Sequence, residues 1–302
     1  MKHAIKIENK SVANKVFLRQ FYKTLRLFCS PVNRRMEFFM PIIYEPSGMA
    51  REYSPYACNL YIGCSHNCKY CYAPHTIQQR EEDYFGVPNP RKNVLKYLER
   101  DLMENTYKKQ ILLSFIGDVY CENTDNSETT RIALQLLNRY NAPVVVLSKG
   151  GQKMLRDLDV FKMFKNRIMV GTTLTFFDEK KSKEWESGAS LPAERLLVLR
   201  ELHKAGIKTL ASFEPSVEPS ESLKLIEKTL EDDSVDHYKI GKINNYRGYG
   251  NDFDWSDYLT RVLKMLRPAK KELYVKQSLR KFAPNIPLFE NEIDPERWVV
   301  RV

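Results

Sequence analysis

Three cysteines, Cys64, Cys68 and Cys71, fall within eight positions of one short stretch, YIGCSHNCKYCYAPH, with His66 and His75 beside them. Thiols this close serve one of three chemistries: a disulfide knot, a zinc site or an iron–sulfur cluster. Six cysteines in 302 residues are few for a disulfide scaffold, and the chain shows no secretory pattern of charged start, apolar run and small-residue cleavage site. A reducing cytoplasm is the expected setting, and disulfides are then disfavoured. Structural zinc takes four ligands, and no second Cys-x2-Cys or Cys/His pair follows. His66 lies between two of the thiols, where simultaneous ligation is awkward, and Cys121 belongs to a different unit of the chain. Three thiolates suit a [4Fe–4S] cube differently: they hold three irons and leave the fourth open to a substrate or cofactor.

The elements that must position this loop follow a regular rhythm of short β-rich runs and longer amphipathic ones. A strand over 57–62 leads into the cysteines, and a helix over 93–104 follows with Val94, Leu95, Leu98 and Leu102 at helical spacing. ILLSFIG reads as the second strand, SETTRIALQLLNRY as a helix with Ser127 at its N-cap, and PVVVLSK as the third strand. Then come a helix across GQKMLRDLDVFKMF, a strand RIMVGTTL, and a helix LPAERLLVLRELHKAG with Pro192 in its first turn and Gly206 at its end. KTLASFE, SESLKLIEKTLED, DHYKIGKI and WSDYLTRVLKMLR continue the alternation, the last stopped by Pro268. Six βα units with right-handed crossovers predict a partial (β/α)6-type TIM-like barrel, with a short seventh strand at ELYVK and its chemistry at the C-terminal strand ends. A doubly wound sheet is the runner-up, but the first βα loop carries cysteines where a glycine-rich dinucleotide fingerprint would stand.

Composition narrows the class further. With 43% hydrophobic residues the chain can bury a large core, and no run of eighteen apolar residues exists to cross a membrane. The net charge of +10 is concentrated: residues 1–40 hold nine Lys or Arg against Glu8 and Glu37, a surplus of seven that leaves +3 for 41–302. The basic stretch ANKVFLRQFYKTLRLF is expected to form an amphipathic helix, suited to RNA, a membrane surface or an importer, or simply to docking. Met36 and Met40 also offer later start positions. Two regions result, a basic extension over 1–40 and a main domain over 41–302.

The Cys-x3-Cys-x2-Cys spacing, with aromatic Tyr70 just before the last cysteine, resembles the cluster motif of the radical S-adenosylmethionine (SAM) superfamily. The wider context YEPSGMAREYSPYACNLYIGCSHNCKYCYAP, with Tyr72 after the motif, is similar to the branch related to spore photoproduct lyase. The likeness recurs at successive strand ends, in GDVY, LSKG, GTTLTFFDE, SFEPSVEPSESL and YKIGKINN, and runs from about Ile42 to Arg280. It implies a [4Fe–4S] cluster whose open iron is chelated by the amine and carboxylate of SAM. It further implies reductive cleavage of SAM to a 5′-deoxyadenosyl radical that takes hydrogen from an unidentified substrate, with electrons from a donor such as a flavodoxin or ferredoxin.

By position, the resemblance makes Cys64, Cys68 and Cys71 the iron ligands and lays Tyr70 against the adenine. Gly117 and Asp118 fall where relatives approach the methionine amine, Lys149 where an ammonium pairs with the SAM carboxylate, and Thr173 where relatives carry a hydroxyl. Glu214, and beyond it Lys239, Lys242 and Asn244, are expected to open onto the same mouth. Cys121 is the candidate catalytic thiol, as hydrogen donor or fourth ligand, with a plain buried thiol as the alternative. Spore photoproduct lyase carries its hydrogen-donor cysteine just before the position of Gly117, where this chain has Phe115 and Ile116. Repair of a thymine photoproduct is therefore not expected. Cys29 and Cys58 are assigned to packing, and Trp185 to a lid or a core contact. Two other classes stay open: a nucleic-acid-binding protein with a structural iron–sulfur cluster, and an electron-transfer or sensing protein.

Overall fold

Alternation along the strands decides what faces in and what faces out. The computed structural model describes residues 41–121, 127–244, 246 and 248–302; the basic extension and Cys29 lie outside the described residues. Eight strands form one sheet in chain order: β1 (Ile43–Tyr44), β2 (Tyr56–Cys58), β3 (Ile111–Leu113), β4 (Val144–Ser148), β5 (Ile168–Thr173), β6 (Lys208–Ser216), β7 (His237–Lys242) and β8 (Glu272–Val275). Only β1 pairs antiparallel; β2 to β8 are parallel throughout. The order is that of a TIM-like barrel left open, since β1 and β8 are not paired with each other.

Ala57, Leu112, Val145 and Met169 stand side by side in register and, with Leu210 and Val300, make an apolar floor inside the barrel. Their neighbours Ile111, Leu113, Val144, Val146, Ile168 and Val170 point the other way and meet the helices. Those helices are α1 (Val94–Glu104), α2 (Ser127–Arg139), α3 (Leu158–Met163) and, after α4 (Glu179–Trp185), α5 (Pro192–Lys204). Leu98, Leu134, Leu137, Phe161, Val198 and Leu202 supply the helical side of this layer, each worth about 1.5–3 kcal/mol when fully buried. A second apolar layer joins Phe213, Tyr238, Ile240 and Val275 to α6 (Pro219–Glu231) and α7 (Trp255–Leu266).

The open seam is covered by two segments. A turn at Gly48–Glu52 brings Glu52 to β8, where Oε1 accepts from the Tyr274 hydroxyl (2.7 Å) and the Gln277 amide (2.9 Å). The C-terminal strip seals the floor, Val300 and Gln110 exchanging bonds of 2.8 and 3.0 Å.

The strand expected over 57–62 divides. Tyr56–Cys58 stays in the sheet, while Tyr61–Ile62 pairs with Asn89–Pro90 in a separate ribbon. Asn59 causes the break: its Oδ1 accepts from Ser114 Oγ (3.0 Å), Phe115 N (2.8 Å) and Ile116 N (3.2 Å). Those amides are thereby withdrawn from strand pairing, which also ends β3 at Leu113 instead of Gly117. The helix expected across 151–164 begins as a 3-10 turn at Gly151–Asp157 before α3. Helix α4 has no apolar stripe to announce it; Asp178 caps it by accepting from Lys181 N at 2.9 Å. The side chain of Ser127, expected as an N-cap, lies outside the described residues, and α2 begins at Ser127 itself.

Candidate functional site

The cysteine loop is fixed from both flanks by backbone bonds. Cys64 N donates to Tyr84 O (3.0 Å), Cys71 N to Cys68 O (3.0 Å), Lys69 N to Trp185 O (2.9 Å) and Gly188 N to His66 O (3.0 Å). The segment after α4 lies so close that a Cβ on Gly188 would come within 1.9 Å of Ser65 O. On the other side Gly117, at φ +128°, meets the loop where a Cβ would stand 3.0 Å from Gly63 O.

All three thiols line one cavity of about 510 Å³ at the C-terminal ends of the strands. Tyr70, Gly117, Asp118, Lys149, Thr173, Glu214 and Asn244 line it too. Cys121 does not. Its Sγ sits 3.3 Å from Cys64 Sγ, and Cys64, His66 and Cys121 form a buried trio whose ligand atoms lie within 4.8 Å of one another. The sequence placed Cys121 in another unit of the chain and made ligation by His66 awkward; the fold brings both against Cys64.

The side chains on the wall differ in how far they are already engaged. Asp118 accepts from Ser148 Oγ (2.6 Å), Tyr120 N (2.8 Å) and Lys149 N (2.8 Å), and His66 Nδ1 lies 3.4 Å away. Its carboxylate therefore latches the ends of β3 and β4 together, whereas an open partner for an ammonium was expected. Lys149, half-buried, holds its Nζ 5.6 Å from the centre of the Tyr70 ring. Burial opposes its charge, but the neighbouring Cys68 and Glu186 outweigh that and raise its pKa, so it stays an ammonium. Glu214 Oε2 takes the Tyr53 hydroxyl (2.5 Å) and Lys276 Nζ (2.6 Å), and Oε1 takes Asn244 Nδ2 at 3.4 Å.

Lys239 reaches Glu52 O at 2.6 Å over the Tyr53 ring, next to this group. Lys242 turns away, bonding Ile243 O (3.0 Å) above the Phe282 ring, and is not brought to the cavity. Trp185 is a core contact, packed with Phe176, Tyr246 and Tyr249.

No disulfide joins the described cysteines. Burial pushes the Cys68 thiol up to about 12 and raises that of Cys71. The hydrogen bond shared with Cys121, and then burial, raise Cys64. That bond lowers Cys121 against its burial, with His66 assisting. A metal entering this loop must displace the protons of its thiols, as thiolate ligation always requires.

Residues 58–232 match the family profile described as the radical SAM superfamily, more than half of the chain. The chain belongs to the radical SAM superfamily. Among its relatives, an uncharacterised protein of Methanocaldococcus jannaschii is 31% identical over 163 residues, 54% of this chain and 60% of that one. An uncharacterised protein of Acidianus two-tailed virus is 24% identical over 229 residues, 69% of this chain and 74% of that one. The match thus spans about 60% of the length of the first of these relatives. In fold, the chain is similar to SuiB of Streptococcus suis bound to S-adenosylmethionine (TM-score 0.55, 12% identity, 78% of this chain and 53% of that one). It is also similar to a spore photoproduct lyase variant with bound AdoMet and dinucleoside spore photoproduct (TM-score 0.52, 14% identity, 85% and 66%).

Several residues that sequence reasoning did not assign to the site complete the wall. Tyr53 and Lys276 hold Glu214. Glu186 and Arg195, both buried, stand behind Tyr70 and Thr173. Arg195 had one signal: it occupies the same face of α5 as Leu199 and Leu202, a charge in an apolar row.

Proposed function

We propose that the chain is a radical SAM enzyme acting on an unidentified substrate, with 41–302 as its catalytic domain and 1–40 as a basic extension. One observation carries this: three thiols of the Cys-x3-Cys-x2-Cys loop open onto the same cavity as Tyr70, Lys149 and Thr173, drawn from the loop and two successive strand ends. The donor set fits a [4Fe–4S] cluster with one open iron, since three cysteines line the cavity and Cys121 stands behind one of them. When bound, such a cluster supplies the electron that breaks a carbon–sulfur bond of SAM and yields the 5′-deoxyadenosyl radical.

The chain's own residues bind and orient. Cys64, Cys68 and Cys71 hold iron. Lys149, an ammonium beside the cysteine loop, pairs with the carboxylate of SAM, and the Tyr70 ring lies against the adenine. Thr173 offers a hydroxyl on the same wall, and Gly117 lets the backbone come close without a side chain. Asp118 is assigned to holding the strand ends, because its oxygens are already occupied by Ser148, Tyr120 and Lys149. Glu214, steadied by Tyr53 and Lys276, bounds the far side of the cavity. Cys121, off the cavity and behind Cys64, is assigned to a buried thiol packed against the loop, because a hydrogen passed to substrate would have to cross Cys64 and a fourth thiolate would close the open iron. Electrons come from an external donor such as a flavodoxin or ferredoxin, and thiols kept for iron suit the cytoplasm.

The test is product analysis. Anaerobically loaded protein given SAM and dithionite is expected to form 5′-deoxyadenosine and methionine. Intact SAM after many hours with a reduced cluster would sink the proposal.

A further inference from the structure

Behind the wall that carries Tyr70, Lys149 and Thr173, one guanidinium is linked to all three. Arg195 on α5 is buried, with 1% of its side chain exposed. Nη1 donates to Thr173 O at 3.0 Å, and Nε donates to Ser190 O at 2.9 Å. Ser190 passes the link on, donating from N (3.1 Å) and Oγ (2.7 Å) to Lys149 O. Nη2 lies 2.7 Å from Oε2 of Glu186, and neither atom has a hydrogen-bond partner elsewhere among the described residues. The other oxygen of Glu186 accepts from the Tyr70 hydroxyl and from Thr175 Oγ1 (2.9 Å). Glu186 also bridges Cys68 through the backbone, so the same pair abuts the cysteine loop.

Stability alone explains such a pair poorly. Two charges taken out of water lose their hydration, and apolar residues of similar volume commonly replace a buried ion pair at no cost or with a gain. What a guanidinium offers instead is a rigid planar fork that fixes several acceptors at set angles. Here its acceptors lead to three cavity residues from three different places in the chain.

We propose that Arg195 and Glu186 are positioning residues, a buried fork that sets Tyr70, Lys149 and Thr173 relative to one another so that they engage SAM together. The inference rests on the assignment of those three residues to SAM.

Two variants test it, the double substitution Glu186→Met with Arg195→Met, and the single Arg195→Lys. The lysine keeps the charge opposite Glu186 but loses the fork to the Thr173 and Ser190 carbonyls. Each is loaded anaerobically, and three quantities are read: iron per chain, unfolding temperature, and SAM affinity from titration of the reduced-cluster resonance. The double variant is expected to melt somewhat below the unmodified protein, since the Thr173 and Ser190 carbonyls and the Tyr70 and Thr175 hydroxyls lose a partner, and to load the same iron. Its SAM affinity is expected to fall by about tenfold or more, the scale on which groups behind a ligand shell act. Arg195→Lys should weaken SAM by a smaller factor with iron unchanged. Unchanged SAM affinity in either iron-loaded variant overturns the proposal. A double variant that fails to take iron also overturns it, because the pair would then be a structural strut of the cysteine loop. An unmodified protein whose resonance ignores SAM would fault the assignment of the cavity itself, a distinct result.

Discussion

Replacing Asp118 by Asn separates two roles for one carboxylate. As a latch, Asp118 accepts at Oδ1 from Ser148 Oγ (2.6 Å) and Tyr120 N (2.8 Å), and at Oδ2 from Lys149 N (2.8 Å). An asparagine oxygen in the Oδ1 position keeps the first two bonds, though without the charge. Its amide nitrogen then faces the Lys149 N–H, donor against donor, in a site where Asp118 is 8% exposed. A hydrogen bond to a charged group contributes about 1.5–3 kcal/mol, and a stranded buried donor costs about 1–3 kcal/mol. Losing the Oδ2 bond and stranding that amide should therefore lower stability by about 3 kcal/mol. Urea unfolding of the iron-loaded protein reads this as a lower midpoint at unchanged slope. Ser148→Ala, which removes one bond only, should cost about 1 kcal/mol. As an ammonium partner for SAM, Asp118 would behave otherwise: Asn would leave the midpoint alone and weaken SAM binding. An unshifted midpoint refutes the latch.

Three further outcomes follow from the same geometry. Alanine at Cys64, Cys68 or Cys71 should abolish iron binding, whereas Cys121→Ser should leave iron and sulfide per chain unchanged; the assay is metal and sulfide analysis after anaerobic loading. Lys149→Met should weaken SAM by about 10- to 100-fold, the equivalent of a charge-assisted hydrogen bond of about 1.5–3 kcal/mol, with no loss of thermal stability. Burial, and then the neighbouring Lys276, bring Lys239 down to about 7. Above that pH the folded chain holds Lys239 neutral while the unfolded chain keeps its proton, so unfolding takes up a proton and stability rises with pH. From about pH 7 to about pH 8.5 the stability of the unmodified protein should gain up to about 2 kcal/mol on Lys239→Met, measured as the difference between their urea midpoints.

How much of this was legible in the sequence depends on the range over which each residue acts. Strands such as Val144–Ser148 and Ile168–Thr173 announce themselves by alternation and apolar content, and their helices by 3.6-residue spacing, so the order of the barrel followed from local pattern. The three thiols were equally visible, because their ligand spacing is contained in eight residues. The break at Asn59 was not, since it depends on a side chain reaching the amides of Phe115 and Ile116 on another strand. Helix α4 escaped for want of an apolar stripe. The wall behind the cavity was hidden for a third reason. Arg195 with Glu186, Lys276 with Glu214, and Cys121 with Cys64 are contacts made only when separate elements pack together, and nothing in their own surroundings in the chain names the partner. Asp118 was found by position, but its role could not be read until its oxygens were seen to be taken.

The central claim is that three thiols leave one iron open to SAM. Electron paramagnetic resonance of the anaerobically loaded, dithionite-reduced protein, recorded with and without SAM, tests it most directly. A [4Fe–4S]⁺ signal whose shape changes on adding SAM is the predicted result. A reduced cluster whose signal is identical with and without SAM would contradict the account.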